Sequence, residues 1–383
     1  MKQTIEQTIG KTFLAIAEGL ETGSFGVKPK LAVTGLGSEH GEANVMAAAV
    51  EAAKSGIDVY YVGTLQHDGV TTIPVGNEDE GHAKMESLLN DGTVDGAVTM
   101  HFPFPIGVAT IGRVITPARG TPMFLASTTG TASTHRVEAM VRNAIYGIIT
   151  AKACSIPEPT VGILNVDGAR HVERALRTLA ANGYPIRFAE SKRSDGGCVM
   201  RGNDVLQGVP DVLVTDSLTG NILVKMLSSF TTGGSYEAVG YGYGPGIGDG
   251  YDKLVLIISR ASGTPVITNA LAYGAELVRN QVFTLAKAEF AAVRAAGWDD
   301  VLASLVADAK PQTPKHVTMP PKEVVTAQLL GIDILDLEEA VQCLWGAGVY
   351  AESGMGCTGP VIRVSEGNLA KAQDLLKTAG YGT

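Results

Sequence analysis

Asp216-Ser217-Leu218-Thr219-Gly220-Asn221 sets hydroxyls and a glycine directly after an apolar run, Val212–Asp216. A turn of this kind feeding a helix offers backbone N–H groups and hydroxyls to an anion at the helix N-terminus. The same residues equally suit an ordinary N-cap by Ser217 or Thr219. A second segment, Ser259-Arg260-Ala261-Ser262-Gly263-Thr264, follows the apolar run Lys253–Ser259. A guanidinium donates bidentately to a tetrahedral oxyanion, and the flanking serines can fill its remaining acceptors. A surface arginine in a turn is the plain alternative. The phosphate-binding candidates are therefore Ser217, Thr219, Gly220, Asn221, Ser259, Arg260 and Ser262.

Gly240–Gly250 (GYGYGPGIGDG) holds too many glycines for a regular element. It is expected to be a mobile lid with Gly244, Gly246 and Gly248 at its centre, a backbone cradle for phosphate, or a floppy surface loop. Cys357 lies in Glu352-Ser353-Gly354-Met355-Gly356-Cys357-Thr358-Gly359-Pro360. Glycines on both sides leave a sulfur accessible, and a thiolate there could carry an acyl group as a thioester. No His or Lys stands beside it in sequence to lower its pKa, so activation must come from the fold. The histidines show no metal-ligand spacing, so no metal is expected. Gly35-Leu36-Gly37 lacks the third glycine of a dinucleotide fingerprint, so no nicotinamide cofactor is expected either.

These segments need a scaffold, and short apolar runs alternating with helical patterns supply one. Lys30–Leu36, Ile57–Gly63, Gly96–Met100 and Pro122–Ser127 read as buried strands, as do Thr160–Val166, Pro185–Ser191, Val212–Asp216 and Lys253–Ser259. Ala43, Met46, Ala47 and Val50 share one helix face, and Val172, Ala175, Leu176 and Leu179 share another. This rhythm predicts an α/β fold, a doubly wound and mostly parallel sheet with helices on both faces. Ligands in such sheets sit beyond the carboxyl ends of strands, where the first two candidate segments fall. Asn269 to Gly297 reads as one long helix, and Met1–Leu20 as an amphipathic one. The expected division is a core over 1–309 in two lobes meeting near 150–160, then a Pro-rich linker over 310–321. A small α/β tail domain over 322–383 would carry Cys357, with helices Lys322–Leu330, Leu337–Trp345 and Leu369–Leu376 and strand Val361–Ser365.

The chain has 383 residues, 45% hydrophobic and 18% charged, which suits a globular protein with a real core. A net charge of −9 gives no field to hold a nucleic acid backbone. Cys154, Cys198, Cys343 and Cys357 form no CxxC pair, and with no secretory signal they read as free thiols in a reducing, cytoplasmic setting. Ala97–Ile115 is broken by His101, Pro103, Pro105 and Arg113, so no membrane span is expected.

Val161–Lys225 runs VGILNVDG…VLQGVPDVLVTDSLTGNILVK and resembles the second half of PlsX-type phosphate acyltransferases. Thr116-Pro117…Gly120-Thr121-Pro122, leading to Thr129-Gly130-Thr131, is similar to that family's first half. Ser259-Arg260…Ser262, with Asn269 downstream, looks like the phosphate-binding segment of phosphotransacetylases. GYGYGPGIGDGYDK and the tail ESGMGCTGPVIRVSEGNLAKAQDLLKTAGY resemble the alpha subunits of component C of glycine, sarcosine and betaine reductases. Two departures stand out: Thr34–Gly41 replaces the Asp- and Gly-rich signature of the PlsX type, and Ser217 stands where that type usually has Gly.

The resemblance implies a subunit that phosphorolyses an acetyl thioester to acetyl phosphate. Inorganic phosphate would be the co-substrate, with no permanently bound cofactor. Cys357 and Arg260 would be catalytic. The implied partners are a thiolase-like beta subunit, a selenoprotein component A and a substrate-binding component B, in a hetero-oligomer. Two alternatives are a stand-alone phosphotransacetylase using coenzyme A or acyl carrier protein, and a non-catalytic interaction subunit.

Overall fold

The computed structural model describes residues 5–22, 27–194, 196–308, 317–356 and 359–381. The chain opens with α1 (Ile5–Thr22), which exposes Phe13, Leu14 and Leu20. Next come β1 (Lys30–Thr34), α2 (Glu42–Lys54), β2 (Asp58–Gly63), β3 (Thr71–Pro74), α3 (Glu78–Asn90) and β4 (Gly96–Thr99). Then follow β5 (Val108–Ile115), β6 (Pro122–Thr131), α4 (Arg136–Ala153), β7 (Thr160–Leu164), α5 (Ala169–Ala181), β8 (Arg187–Phe188) and β9 (Val199–Met200). After these run α6 (Gly202–Gln207), β10 (Val212–Val214), α7 (Ser217–Ser229), β11 (Gly244–Gly248) and β12 (Val255–Ile257). The core ends with α8 (Thr264–Arg279), α9 (Val282–Ala295) and α10 (Trp298–Asp308). The tail comprises β13 (Ala327–Leu329), α11 (Leu337–Gly346), β14 (Ala351–Gly356), β15 (Gly359–Val364) and α12 (Leu369–Thr378).

The main sheet runs β3-β2-β1-β4-β12-β11-β5-β6-β10-β7-β8, with β9 also on β7. Pairing is parallel except around β11, which is antiparallel to β12 and β5, and between β5 and β6. Side chains alternate between two helical layers, as pleating requires. On β1, Leu31 and Val33 join one core cluster and Ala32 another. On β6, Phe124 and Ala126 face the α4 side while Met123 and Leu125 share a cluster with Val224 of α7. The sheet is thus doubly wound. Helix α4 runs through the core with Met140, Val141, Ile145 and Ile149 wholly buried. Each such side chain contributes roughly 1.5–3 kcal/mol of burial free energy.

β12 leaves the second half of the chain to pair with β4, while β6 pairs with β10. The carboxyl ends of β10 and β12 therefore belong to different halves of one sheet, with α7 spanning them.

Four expectations are corrected. Gly244, Gly246 and Gly248 do not form a lid: Gly244–Gly248 is a fully buried strand inside the sheet. The glycines are there because the strand packs without room for side chains. A Cβ on Gly246 would stand 2.3 Å from the Phe104 ring, and one on Gly244 would stand 1.8 Å from the Ile111 carbonyl oxygen. The expected helix over Asn269–Gly297 is two helices, α8 and α9, broken at Gln281, whose φ is 50°. Asn280 just before it donates to Ala153 O at 2.7 Å, so a tertiary bond outweighs helix propensity there. Lys322–Leu330 contains no helix; its only regular element is β13, edge-paired to β15. Pro185–Ser191 supplies only the two-residue strand Arg187–Phe188.

The tail is a three-stranded sheet, β13-β15-β14, covered by α11 and α12 over its own apolar cluster. It is docked on α5. Asp333 accepts from the backbone N–H groups of Gly168 and Arg170, both at 3.2 Å. Asp336 accepts from Arg174 at 2.9 Å and meets His171 Nε2 at 2.8 Å.

Candidate phosphate and acyl-transfer site

The N-terminus of α7 is occupied by its own sequence. Asp216, not Ser217 or Thr219, is the cap: its carboxylate accepts from Thr219 N at 3.0 Å and from the Thr219 hydroxyl at 2.8 Å. Arg136 donates to the same carboxylate at 3.0 Å. Burial pushes the Asp216 carboxyl up, but these donors outweigh it and hold it below the usual value. Gly220 serves close approach: a Cβ there would stand 1.8 Å from Ser127 O. Asn221 donates to Thr128 O at 3.1 Å, fastening α7 to β6.

The Ser259–Gly263 loop is held from several sides. The Ser262 hydroxyl donates to Glu237 at 3.1 Å and is fully buried, so it faces inward. Arg260 faces outward. It donates to Gly37 O at 2.9 Å and to both Glu78 oxygens, at 3.3 and 2.8 Å. The Arg260 guanidinium holds the Glu78 carboxyl below its ordinary value. Both side chains are nearly half exposed, and such pairs contribute only about 0–1 kcal/mol.

Lys225 joins the two segments. Its ammonium lies 3.4 Å from Ser259 Oγ and 3.5 Å from Glu237. It sits one helical turn beyond Asn221, so α7 carries Asn221 and Lys225 past the end of β12. Lys225 thus meets Ser259 beyond the carboxyl end of β12, while the adjacent Arg260 turns its guanidinium to Gly37 and Glu78. The structure directs Ser262, Thr219 and Asn221 into structural bonds. Ser217 lies at the other end of α7, against a separate cavity.

The Cys357 expectation lies outside the described residues. Cys154 and Cys198 are buried; burial pushes the Cys154 thiol strongly up and the Cys198 thiol up to about 12. Neither is a nucleophile at neutral pH. Among the described residues, no group of three or more His, Cys, Asp or Glu could hold a metal. No helix among them is long and apolar enough to cross a membrane. Sequence reasoning missed Lys225, Glu78 and Arg136. Lys225 was signalled by its i+4 spacing from Asn221 on one helix face. Glu78 and Arg136 carry no local signal, because their partners lie far along the chain.

A family model described as "Fatty acid synthesis protein" matches residues 29–363. The glycine/sarcosine/betaine reductase complex component C subunit alpha of Peptoclostridium acidaminophilum is 58% identical over 379 residues, 98% of each chain. The chain belongs to this family. Phosphate acyltransferases are more distant members of the same similarity group. The one from Thermobifida fusca is 25% identical over 245 residues, 51% of this chain and 65% of its own. Among solved structures, an EutD phosphotransacetylase from Staphylococcus aureus is 12% identical. It covers 70% of this chain and 98% of its own with a TM-score of 0.45. The family match spans the α7 and Ser259–Arg260 segments and β11 alike, and extends through most of the tail.

Proposed function

We propose that this chain is the component C alpha subunit of an amino-acid reductase complex and catalyses phosphorolysis of an acetyl thioester. The observation that carries this is the approach of Lys225 to Ser259, 3.4 Å apart, on the loop that also bears Arg260. Inorganic phosphate is held there as co-substrate, with Arg260 exchanging Glu78 for it. A phosphate oxygen attacks the thioester carbonyl carbon and the C–S bond breaks. Acetyl phosphate forms and sulfur leaves as thiolate. Two cations lower the energy of the anionic transition state where charge develops. Thiolate leaves readily, so the protein's task is to position two reactants and limit competing water. The acyl carrier is Cys357 or a cysteine of a thiolase-like beta subunit. A selenoprotein component A and a component B act upstream. An exposed apolar stripe on α7 and just beyond it, formed by Leu218, Ile222, Met226 and Phe230, supports assembly with a partner.

The test is acetyl phosphate decay in arsenate, whose acyl adduct hydrolyses, by the chain alone and with its beta subunit. Arg260→Ala and Lys225→Met should each slow decay by roughly 10- to 100-fold, the effect of removing one charged hydrogen-bond donor. Unchanged rates in both variants would overturn the phosphate placement. No decay under either condition would overturn acyl transfer itself.

A further inference from the structure

Glu237, on the segment between α7 and β11, is a carboxylate only 1% exposed beside the Lys225–Ser259 contact. Burying a charge is costly unless donors and a counter-charge meet it. Here both do. The Tyr243 hydroxyl donates to Oε1 and the Ser262 hydroxyl to Oε2, each at 3.1 Å. The Lys225 ammonium stands 3.5 Å from Oε1. The backbone of Glu237 is fastened to the same loop as Ser259: its N–H donates to Ala261 O at 3.0 Å, and its carbonyl accepts from Gly263 N at 2.8 Å. Two buried hydroxyls can be satisfied by a neutral amide as well as by a carboxylate. What the carboxylate adds is charge, and the charge it meets is on Lys225.

These contacts close on themselves. Ser262 Oγ accepts from Ser259 N at 3.0 Å, and Ser259 Oγ lies 3.4 Å from the Lys225 ammonium, which returns to Glu237. Lys225, Glu237, Ser262 and Ser259, from three separate segments, thus hold one another in a circuit. A lysine ammonium is a point charge on a flexible four-carbon stem, with no preferred direction of its own. The Lys225 side chain is 54% exposed, so without a fixed partner it would wander in solvent. A buried, doubly hydrogen-bonded anion gives it one seat. We propose that Glu237 is a positioning residue for acyl transfer: its buried charge seats the Lys225 ammonium against Ser259, ready for the anionic transition state. Glu237 touches no reactant itself. Through Ser262 its other oxygen holds the backbone of the loop that bears Arg260, so one carboxylate sets α7 and that loop relative to each other. Electrostatic stabilisation of a transition state depends on charges being in place before the reaction begins. This role rests on the acyl-transfer reading of Lys225.

The test is acetyl phosphate decay in arsenate, by the chain alone and with its beta subunit, for wild type, Glu237→Gln, Lys225→Met and the double variant. In Glu237→Gln an amide still meets both hydroxyls, but the anion beside Lys225 is gone. kcat should fall roughly tenfold, the effect of losing one charged contact. KM for arsenate should not rise, because Lys225 keeps its charge and a repelling carboxylate has been removed. On the Lys225→Met background the same substitution should change kcat by less than about twofold, since no ammonium is left to seat. A carboxylate that only held the fold would act otherwise. The arsenate KM would rise, the thermal midpoint would drop, and the full loss would recur on the Lys225→Met background. That recurrence, or wild-type kinetics in Glu237→Gln, would overturn the positioning role. Lys225→Met at the wild-type rate would instead overturn the acyl-transfer reading of Lys225, and the positioning role with it. Should Glu237→Gln fail to fold, Glu237→Asp decides by the same cycle, because it keeps the charge and withdraws it by one methylene. Its kcat should lie between wild type and Lys225→Met, with no further loss on the Lys225→Met background; an equal loss there would overturn the role.

Discussion

Helices α7 and α5 each have a carboxylate accepting from N–H groups at the N-terminus, and they obtain it from opposite distances. Helix α7 is capped by Asp216, the residue immediately before it. Helix α5 begins after Gly168, which has a φ of 88° and no side chain to offer. Its open N–H groups are met by Asp333, 165 residues away in the tail. The electrostatics is the same in both places: a carboxylate meets unpaired donors and the positive end of the helix dipole. The consequence differs. Asp216 stabilises one helix locally. Asp333 makes a helix terminus depend on a second folding unit, and so turns a cap into a latch.

The largest effect should come from breaking the latch. Asp333 is 6% exposed and accepts from Gly168 N, Arg170 N and Leu335 N. Asp333→Ala leaves buried donors unpaired on both sides of the junction. The expected cost is roughly 2–4 kcal/mol, on the scale of hydrogen bonds to a charged group plus the exposed desolvation penalty. Limited proteolysis should then release the segment from β13 to α12 while the main sheet remains folded. A variant tail as protected as wild type would show that Asp333 does not hold the junction.

A second, smaller effect follows from pH. Burial lowers the His171 pKa, but Asp333 and Asp336 outweigh it and raise the value to about 9. His171 Nε2 makes the real bond, at 2.8 Å to Asp336; Nδ1 stands 3.8 Å from Asp333, so that attraction is through space. The folded-state pKa is raised, so the contribution is fully present below the unfolded value near 6.5 and is lost as pH rises through about 9. Asp333 and Asp336 titrate the other way: burial raises them, but His171 and other donors hold both below the ordinary value. Their contribution is lost as pH falls below the ordinary carboxylate range. Proteolytic protection of the tail should therefore hold near neutrality and fall above pH about 9. His171→Gln should remove the alkaline fall, and an unchanged profile in that variant would assign it elsewhere.

The same contrast between near and far explains what could be read from the sequence. Parallel strands announce themselves as apolar runs: β1, β2, β4, β7, β10 and β12 all fall within the runs so read, and β6 starts with its run at Pro122 but continues to Thr131. A cap within two or three residues of its helix is likewise visible, although Asp216 and not Ser217 took the role. What failed was whatever depends on a distant neighbour. The glycines around 246 look like flexibility in one dimension. In three they fit between Phe104 and the Ile111 and Gly107 carbonyls. Ser262 looks like an anion ligand until buried Glu237 is placed beside it. Lys225 lies in plain sight on α7, but its worth comes from Ser259, 34 residues later. The latch joins α5 to a tail whose first strand was read as helix, because β13 is strand only by virtue of pairing with β15.

The smallest effects would sharpen the comparison at its local end. Asp216→Ala removes a partly buried cap whose loss is typically about 1 kcal/mol. It also frees Arg136, so the thermal midpoint should fall by only a few degrees, with no release of the tail. Ser217→Ala is the companion. The Ser217 hydroxyl makes no capping bond, so stability should change by less than about 0.5 kcal/mol. Thermal melts of the pair, read beside Asp333→Ala, separate a cap that serves one helix from one that joins two units. If Asp216→Ala matched Asp333→Ala in cost, the α7 terminus would be bearing tertiary structure as well. The first place to look would then be Gly220, whose close seat on Ser127 O depends on where Asp216 starts the helix.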